Sequence, residues 1–343
     1  MPDLLNIPAV RDWANSAIRR RSGKAFGNLV PAVVWTDRRG EDGNLLVPID
    51  PAEYVALSNA KQIIVLHGHD PGKPKGQVLE SAYFESDAGE KFIVAILGFY
   101  AGGEVLGFKD LHLDTKVFPS SPKTLPALPN DLWIELATDP REIDASRLEQ
   151  IASDAPLAIK FIQLSHNSAE PAQELIRVGV LFMTLAWNPF VKTIATEAGK
   201  DTYAAIHKWV KKLVEKLADQ RNPVLDIHAF HHDCQVSFLI RGKDIKVNYA
   251  AHETLSRAAV QAAQLVENLK ARGMAAQQLV YEFDRAALLW FPSFAVLTDN
   301  RIITDTANLI AIENLPTGIS MGMTRGRSSS PALKSTRDDD DSH

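Results

Sequence analysis

The chain of 343 residues is 45% hydrophobic and 23% charged, the proportions of an ordinary soluble globular protein, and it exceeds the usual size of a single domain. Its net charge of -5 argues against a phosphate-tracking surface over the whole molecule, and so against nucleic acid as the partner. The single cysteine, Cys234, excludes an intramolecular disulfide and a multi-cysteine zinc site, and it suits a reducing, cytoplasmic compartment.

At the N-terminus, acidic Asp3 precedes the apolar residues and the basic run Arg19, Arg20, Arg21 follows them, the reverse of a secretory signal. Residues 8–21 read as an amphipathic helix with Val10, Trp13, Ala14 and Ile18 on one side. From Leu29 the texture changes to short β-branched and aromatic runs, among them "KQIIVLH", "QVLESAYFES", "EKFIVAILGFY" and "EVLGFKDLHLD", separated by Gly-containing turns. That pattern predicts hairpins in an antiparallel sheet or small barrel. The four prolines of residues 117–131 exclude a regular helix or central strand there, which makes the segment a long connection. Beyond it, "LWIELA" and "AIKFIQLS" read as strands around the helix-like "DASRLEQIAS", and they are expected to complete a β-rich domain over residues 1–168.

Residues 169–323 are expected to form a second domain, of helices on a small sheet. The most apolar run, residues 178–191, is shorter than the roughly 20 residues needed to span a bilayer and contains Asn188-Pro189. It reads as a buried helix or as a strand and turn, with membrane or partner contact as the alternative. Residues 200–220 place Tyr203, Ile206, Trp209, Val210, Leu213 and Leu217 on one helical stripe opposite Lys208, Lys211, Lys212 and Lys216. "PVLDIHAF" and "CQVSFLIRGKDI" read as strands, with "RGKD" as a turn, and a helix returns over 254–272 with Gly273 as its C-cap. "QQLVYEFD", "FPSFAVLT" and "RIITD" are strand-like again. Residues 324–343 mix Arg, Ser and an Asp run with few apolar residues, the composition of a disordered tail. The overall expectation is an α+β protein.

Reactive side chains concentrate in three places. In "IIVLHGHDPGKPKGQV", an apolar run ends in His67 and His69, two residues apart and therefore on one side of a continuing strand, with Asp70 as a possible orienting carboxylate or fellow ligand. The plainer reading is one histidine packed at a sheet edge and a turn built by Asp70-Pro71-Gly72. His112 and Asp114 are the nearest supplement, again placed on one face of a strand. In "KFIQLSHNSAEPAQ", Ser165 with His166 beside it fits either a nucleophile awaiting a base or a strand end with Asn167 or Ser168 capping a helix. In "DIHAFHHDCQ", the candidate metal ligands are His228, His231 and His232. On a strand and hairpin, His228 faces one side while the other two occupy the turn, so joint ligation by all three would need a bulge. A polar hairpin over a buried Cys234 is the alternative.

The stretch "HGHDPGKPKGQVLESAYFES" followed by "GEKFIVAILGFY" resembles the region around the catalytic histidine of phage capsid-maturation (prohead) proteases. The resemblance covers about forty residues. It implies a small β-barrel with flanking helices and makes His69 the catalytic histidine. The family's serine usually stands in a Ser-apolar-Gly setting, which is missing at the corresponding place, so Ser165 with His166 or His112 would have to fill the roles.

Neither a Walker loop, a Rossmann fingerprint nor a nucleophile elbow occurs, so no nucleotide or other cofactor is expected. The leading expectation is a soluble intracellular protein-interaction module without catalytic chemistry, whose ligand is a protein partner, with oligomeric state left open. The alternative is a serine peptidase of prohead-protease type.

Overall fold

The computed structural model describes residues 4–39, 43, 45, 49–67, 70–113, 133–138, 145–163, 177–182, 197–218, 223–311 and 319–323. They form an α+β fold on two sheets. The first is antiparallel and contains β1 (Asn28–Thr36), β2 (Ile63–His67), β3 (Pro74–Glu85) and β4 (Lys91–Phe99) in the order β1-β4-β3-β2. Two helices, α1 (Pro8–Arg21) and α2 (Pro51–Ala60), pack on its opposite faces.

Strand β4 shows why its sequence is apolar without alternation. Phe92, Val94 and Ile96 face α1 and the residues around it, whereas Ile93, Ala95 and Leu97 pack in the cluster that holds Tyr54 of α2. Residues 92–96 are all fully buried, and each large side chain removed from water contributes about 1.5–3 kcal/mol. Helix α2 is absent from the reading of the sequence, although its start signal is complete. Asp50 Oδ1 accepts from the amides of Ala52 (3.0 Å) and Glu53 (2.9 Å), and Pro51 occupies the first turn, where its missing N–H costs nothing.

The second sheet is mixed and has nine strands among the described residues. In chain order its parts are β5 (Val105–Leu106), β6 (Trp133–Thr138), α3 (Ala145–Ala152), β7 (Ala158–Gln163), β8 (Arg177–Phe182), α4 (Glu197–Ala218), β9 (Val224–His231), β10 (Cys234–Arg241), α5 (Ile245–Ala271), β11 (Ala276–Asp284), β12 (Leu289–Leu297) and β13 (Ile302–Ile303). The strand order is β5-β13-β12-β11-β10-β9-β8-β6-β7. A last strand, β14 (Ile319–Met323), returns to the first sheet and pairs antiparallel with β2.

The two sheets stack. On one face of the second sheet, Ile227, Phe238, Leu279 and Tyr281 meet Trp209 and Leu213 of α4 and Leu255 and Leu265 of α5. On its other face, Leu239, Val280, Phe294 and Val296 meet Ile64, Leu66 and Tyr100 of the first sheet.

Several expectations change. β6 and β7, expected to complete the first domain, are parallel strands of the second sheet, because β6 pairs with β8 and β8 with β9. The expected boundary at residue 168 thus falls between two strands of one sheet. Helix α5 begins at Ile245 and not at 254, because Asp244 of the "RGKD" turn caps it by accepting from the amides of Lys246 (3.1 Å) and Val247 (3.2 Å). The strand expected through "EVLGFKDLHLD" stops at Leu106. Residues 107–113 turn back, with Leu111 N on Gly107 O (3.1 Å) and His112 N on Lys109 O (2.9 Å). In the apolar run 178–191, residues up to Phe182 belong to β8, inside the sheet between β6 and β9. The rest of that run, the proline-rich connection 117–131 and the tail 324–343 lie outside the described residues. Among the described residues no helix is long and apolar enough to cross a membrane.

Candidate functional site

The opening candidate resolves into structure more than chemistry. His67 ends β2 and is exposed, and burial of part of the ring together with Lys75 and Lys73 holds its pKa below the usual imidazole value. Asp70, read from the sequence as a partner for these histidines, is buried and engaged elsewhere. Arg241 at the end of β10 holds it through two nitrogens, at 3.0 and 2.5 Å, and also reaches Glu282 at 3.1 Å. Burial pushes the Asp70 carboxyl up, but the Arg241 guanidinium and the Gly72 amide outweigh this and hold it below the ordinary carboxylate range. A Cβ at Gly72 would run into the ends of the Glu282 and Arg241 side chains, so a larger residue there would push against the clasp. His69, Ser165 and His166 lie outside the described residues. His112 is exposed in a turn, not on a strand face, with φ 50 and its Nδ1 2.9 Å from Asp110 O.

The helix expected to present itself to a partner is occupied on both sides. Ile206, Trp209, Val210 and Leu213 of the apolar stripe of α4 are buried, and three of its lysines are tied down within the chain, Lys211 to Glu253 (2.9 Å) and Lys212 to Asp154 (3.3 Å), while Lys216 donates to Gln150 O (2.9 Å).

A pair of clefts opens where the two sheets meet. Two adjoining clefts of about 360 and 210 Å³ share Ala60, Lys61, Gln62 and Gln277, so they form one groove. The end of α2 and β3 supply one wall. The β9–β10 hairpin, the start of β11 and the last turns of α5 supply the other. Amide side chains are prominent in the smaller cleft, where Asn59, Gln62, Gln77, Gln277 and Asn300 line the wall, and several of them are held in place by hydrogen bonds. Gln62 Nε2 donates to Gln77 Oε1 (2.8 Å) and to Asn300 Oδ1 (2.9 Å), and Gln77 Nε2 donates to the Tyr100 hydroxyl (2.6 Å). Asn59 exchanges two bonds with the backbone of Ser81, each 2.9 Å. Asn300 keeps its place through a left-handed turn at φ 70, a conformation that asparagine tolerates better than most residues. The hydroxyl of Ser58, which lines the same groove, donates to Tyr54 O (2.8 Å) and bonds to Ser81 Oγ.

At the rim stands the tip of the β9–β10 hairpin. His231 pairs with Cys234 across a two-residue turn formed by His232 and Asp233. Successive strand residues point to opposite faces, but His232 has φ 51, and that left-handed turn swings its ring to the same side as that of His231. The rings lie 4.5 Å apart at 64°. Both reach Glu267 of α5: His231 Nε2 is 3.0 Å from Oε1, and His232 Nε2 contacts the same oxygen. His228 does not join them. It lies three residues back on the opposite face of β9, with Nε2 2.8 Å from Asp226 Oδ2 but not aligned for a hydrogen bond. Of the three candidate ligands in this stretch, His231 and His232 come together, with Glu267 beside them, and His228 stands apart. Cys234 points inward, and burial pushes its thiol pKa up, which leaves it a packing residue.

Comparison with known protein families, curated proteins and solved structures gives no match. The site must be read from its own chemistry.

Proposed function

We propose that the protein is a non-catalytic protein-interaction module whose groove at the junction of the two sheets receives an extended segment of a partner. One observation carries this reading: a continuous groove walled by both sheets, in which Gln62, Gln77 and Asn300 are fixed by mutual hydrogen bonds. An extended peptide offers a row of backbone N–H and C=O groups that lose water on binding and need partners. Glutamine and asparagine supply donor and acceptor on one side chain, so a row of them suits a backbone better than a charged ligand. Fixing those side chains before binding removes part of the rotamer cost of association, about 0.5–1.5 kcal/mol for each side chain that would otherwise be immobilised. The polar side chains in the groove support binding over reaction: the Ser58 hydroxyl is engaged with Tyr54 and Ser81, and the Cys234 thiol is buried.

Selection of random peptides displayed on phage against the purified full chain tests the reading. Enriched peptides are expected to bind the wild type and to lose at least tenfold in affinity on Gln277→Arg, which fills the shared part of the groove from a half-buried position. Equal binding to wild type and variant, or no enrichment at all, would overturn it.

A further inference from the structure

We propose that His231, His232 and Glu267 form a binding site for a divalent transition-metal ion of the zinc class. The assignment is independent of what the groove binds. A ring nitrogen of His231, one of His232 and a carboxylate oxygen of Glu267 all lie within 4.8 Å of one another, and it is Nε2 of each ring that meets Glu267 Oε1. A tetrahedral zinc ion with bonds of about 2.0–2.2 Å to imidazole nitrogen and carboxylate oxygen needs ligand atoms about 3.4 Å apart, so small side-chain rotations suffice to seat one. Two imidazoles and one carboxylate select this class of ion. Calcium and magnesium prefer oxygen ligands throughout, while imidazole suits zinc, copper, iron and nickel.

The backbone sets the three groups up from two elements that are themselves fixed. The hairpin register places Cys234 opposite His231 and buries it, which anchors the turn between them. Helix α5 is locked to the sheet by Leu265, Val266 and Leu269 on either side of Glu267. His232 accepts a left-handed φ, uncommon for a side-chain-bearing residue, and the result is two adjacent histidines aimed at one carboxylate oxygen.

With the carboxylate ligated, a divalent ion carries one residual positive charge, which nearby Lys270 opposes, so affinity rests on the imidazole bonds. Three protein ligands leave a fourth position for water or another donor, as in exchangeable zinc sites. Because His232 also lines the larger cleft, that ion would border the groove.

The test uses the full chain stripped with EDTA and then titrated with Zn2+ alone, in the presence of excess Mg2+, against a chromophoric chelator. One zinc per chain is expected. His232→Ala and Glu267→Gln are each expected to weaken binding at least tenfold, and His228→Asn to leave it unchanged. The first two substitutions fall on half-exposed side chains, and far-UV circular dichroism of each apo variant checks that the fold persists. Bound Co2+ gives a second readout, since its visible d–d bands should be intense in the wild type and lost in Glu267→Gln. Zinc binding that survives both substitutions, or that depends on His228, would overturn the assignment.

Discussion

Arg241 reaches across the junction of the two sheets and clasps Asp70 with two nitrogens, at 3.0 and 2.5 Å. The aspartate is 3% exposed and the arginine 29%, so the pair is largely removed from water. A buried pair of this kind contributes little beyond a well-packed apolar replacement, but losing one partner strands the other. Asp70→Asn and Arg241→Gln are each expected to destabilise the fold by about 3 kcal/mol, read as a lower urea midpoint. The double variant should cost clearly less than the two singles added. Additive costs would show that the clasp does not join the sheets energetically.

The same pair marks the limit of what the sequence discloses. Helix α4 is legible because a 3.6-residue period runs through Ile206, Trp209, Val210 and Leu213, and β4 because an apolar run of nine residues lies between turns. Asp70 and Arg241 stand 171 residues apart, and no local period links them, so Asp70 reads as a neighbour for His67 and His69. Glu267 escapes notice in the sequence for a related reason. It lies on the outward face of α5, where a charged residue looks like any solvated one, and only the folded hairpin brings His231 and His232 to it. Two local signals were legible and were missed: Asp50-Pro51 before α2, and Asp244 before α5. Asp244 reads as part of the "RGKD" turn, and Asp50-Pro51 stands between strand-like runs that draw the eye first.

Acid should loosen the packing of α4 on α5. His252 is fully buried on α5 with its ring 4.4 Å from that of His207 on α4, and Lys211 and Glu253 are the charged groups nearest the pair. Burial, with His207 and Lys211, pushes the His252 pKa down from 6.5 to about 3. Above pH 6.5 neither the folded nor the unfolded chain protonates this ring, so its contribution to stability is complete there. As pH falls below 6.5 the unfolded chain takes the proton and the folded chain does not, and stability drops by about 1.4 kcal/mol per pH unit. Between pH 7 and pH 5 the loss from His252 is about 2 kcal/mol. Urea midpoints at the two pH values check this. His252→Leu should flatten the dependence, and an unchanged slope in that variant would refute the assignment.

The cap on α2 bears on the groove, because the far end of that helix supplies Ala60 and the adjoining Lys61 to its wall. Asp50→Ala removes the acceptor for two amides and is expected to cost about 1 kcal/mol. Asp50→Ser should restore most of it. Hydrogen exchange should report the change across α2 while α5 stays as protected as before. Uniform deprotection of both helices would mean that α2 does not open as a local unit.

The floor of the groove depends on a hydroxyl that no ligand could touch. Tyr100 is fully buried, and its oxygen accepts from Gln77 Nε2 at 2.6 Å, which in turn orients Gln77 toward Gln62. Burial pushes the phenol pKa up, so the group stays neutral and the bond persists through the working pH range. Tyr100→Phe keeps the ring but takes away the acceptor, leaving that amide only the long 3.3 Å contact with Asn300 O. An unmet buried amide costs about 1–3 kcal/mol, so the variant should unfold at a lower urea concentration while keeping its circular dichroism spectrum. Because Gln77 would no longer hold Gln62 in place, peptides selected on the wild type should bind the variant less tightly, chiefly through faster dissociation. A variant that loses stability but binds those peptides as tightly as the wild type would separate the amide network from recognition.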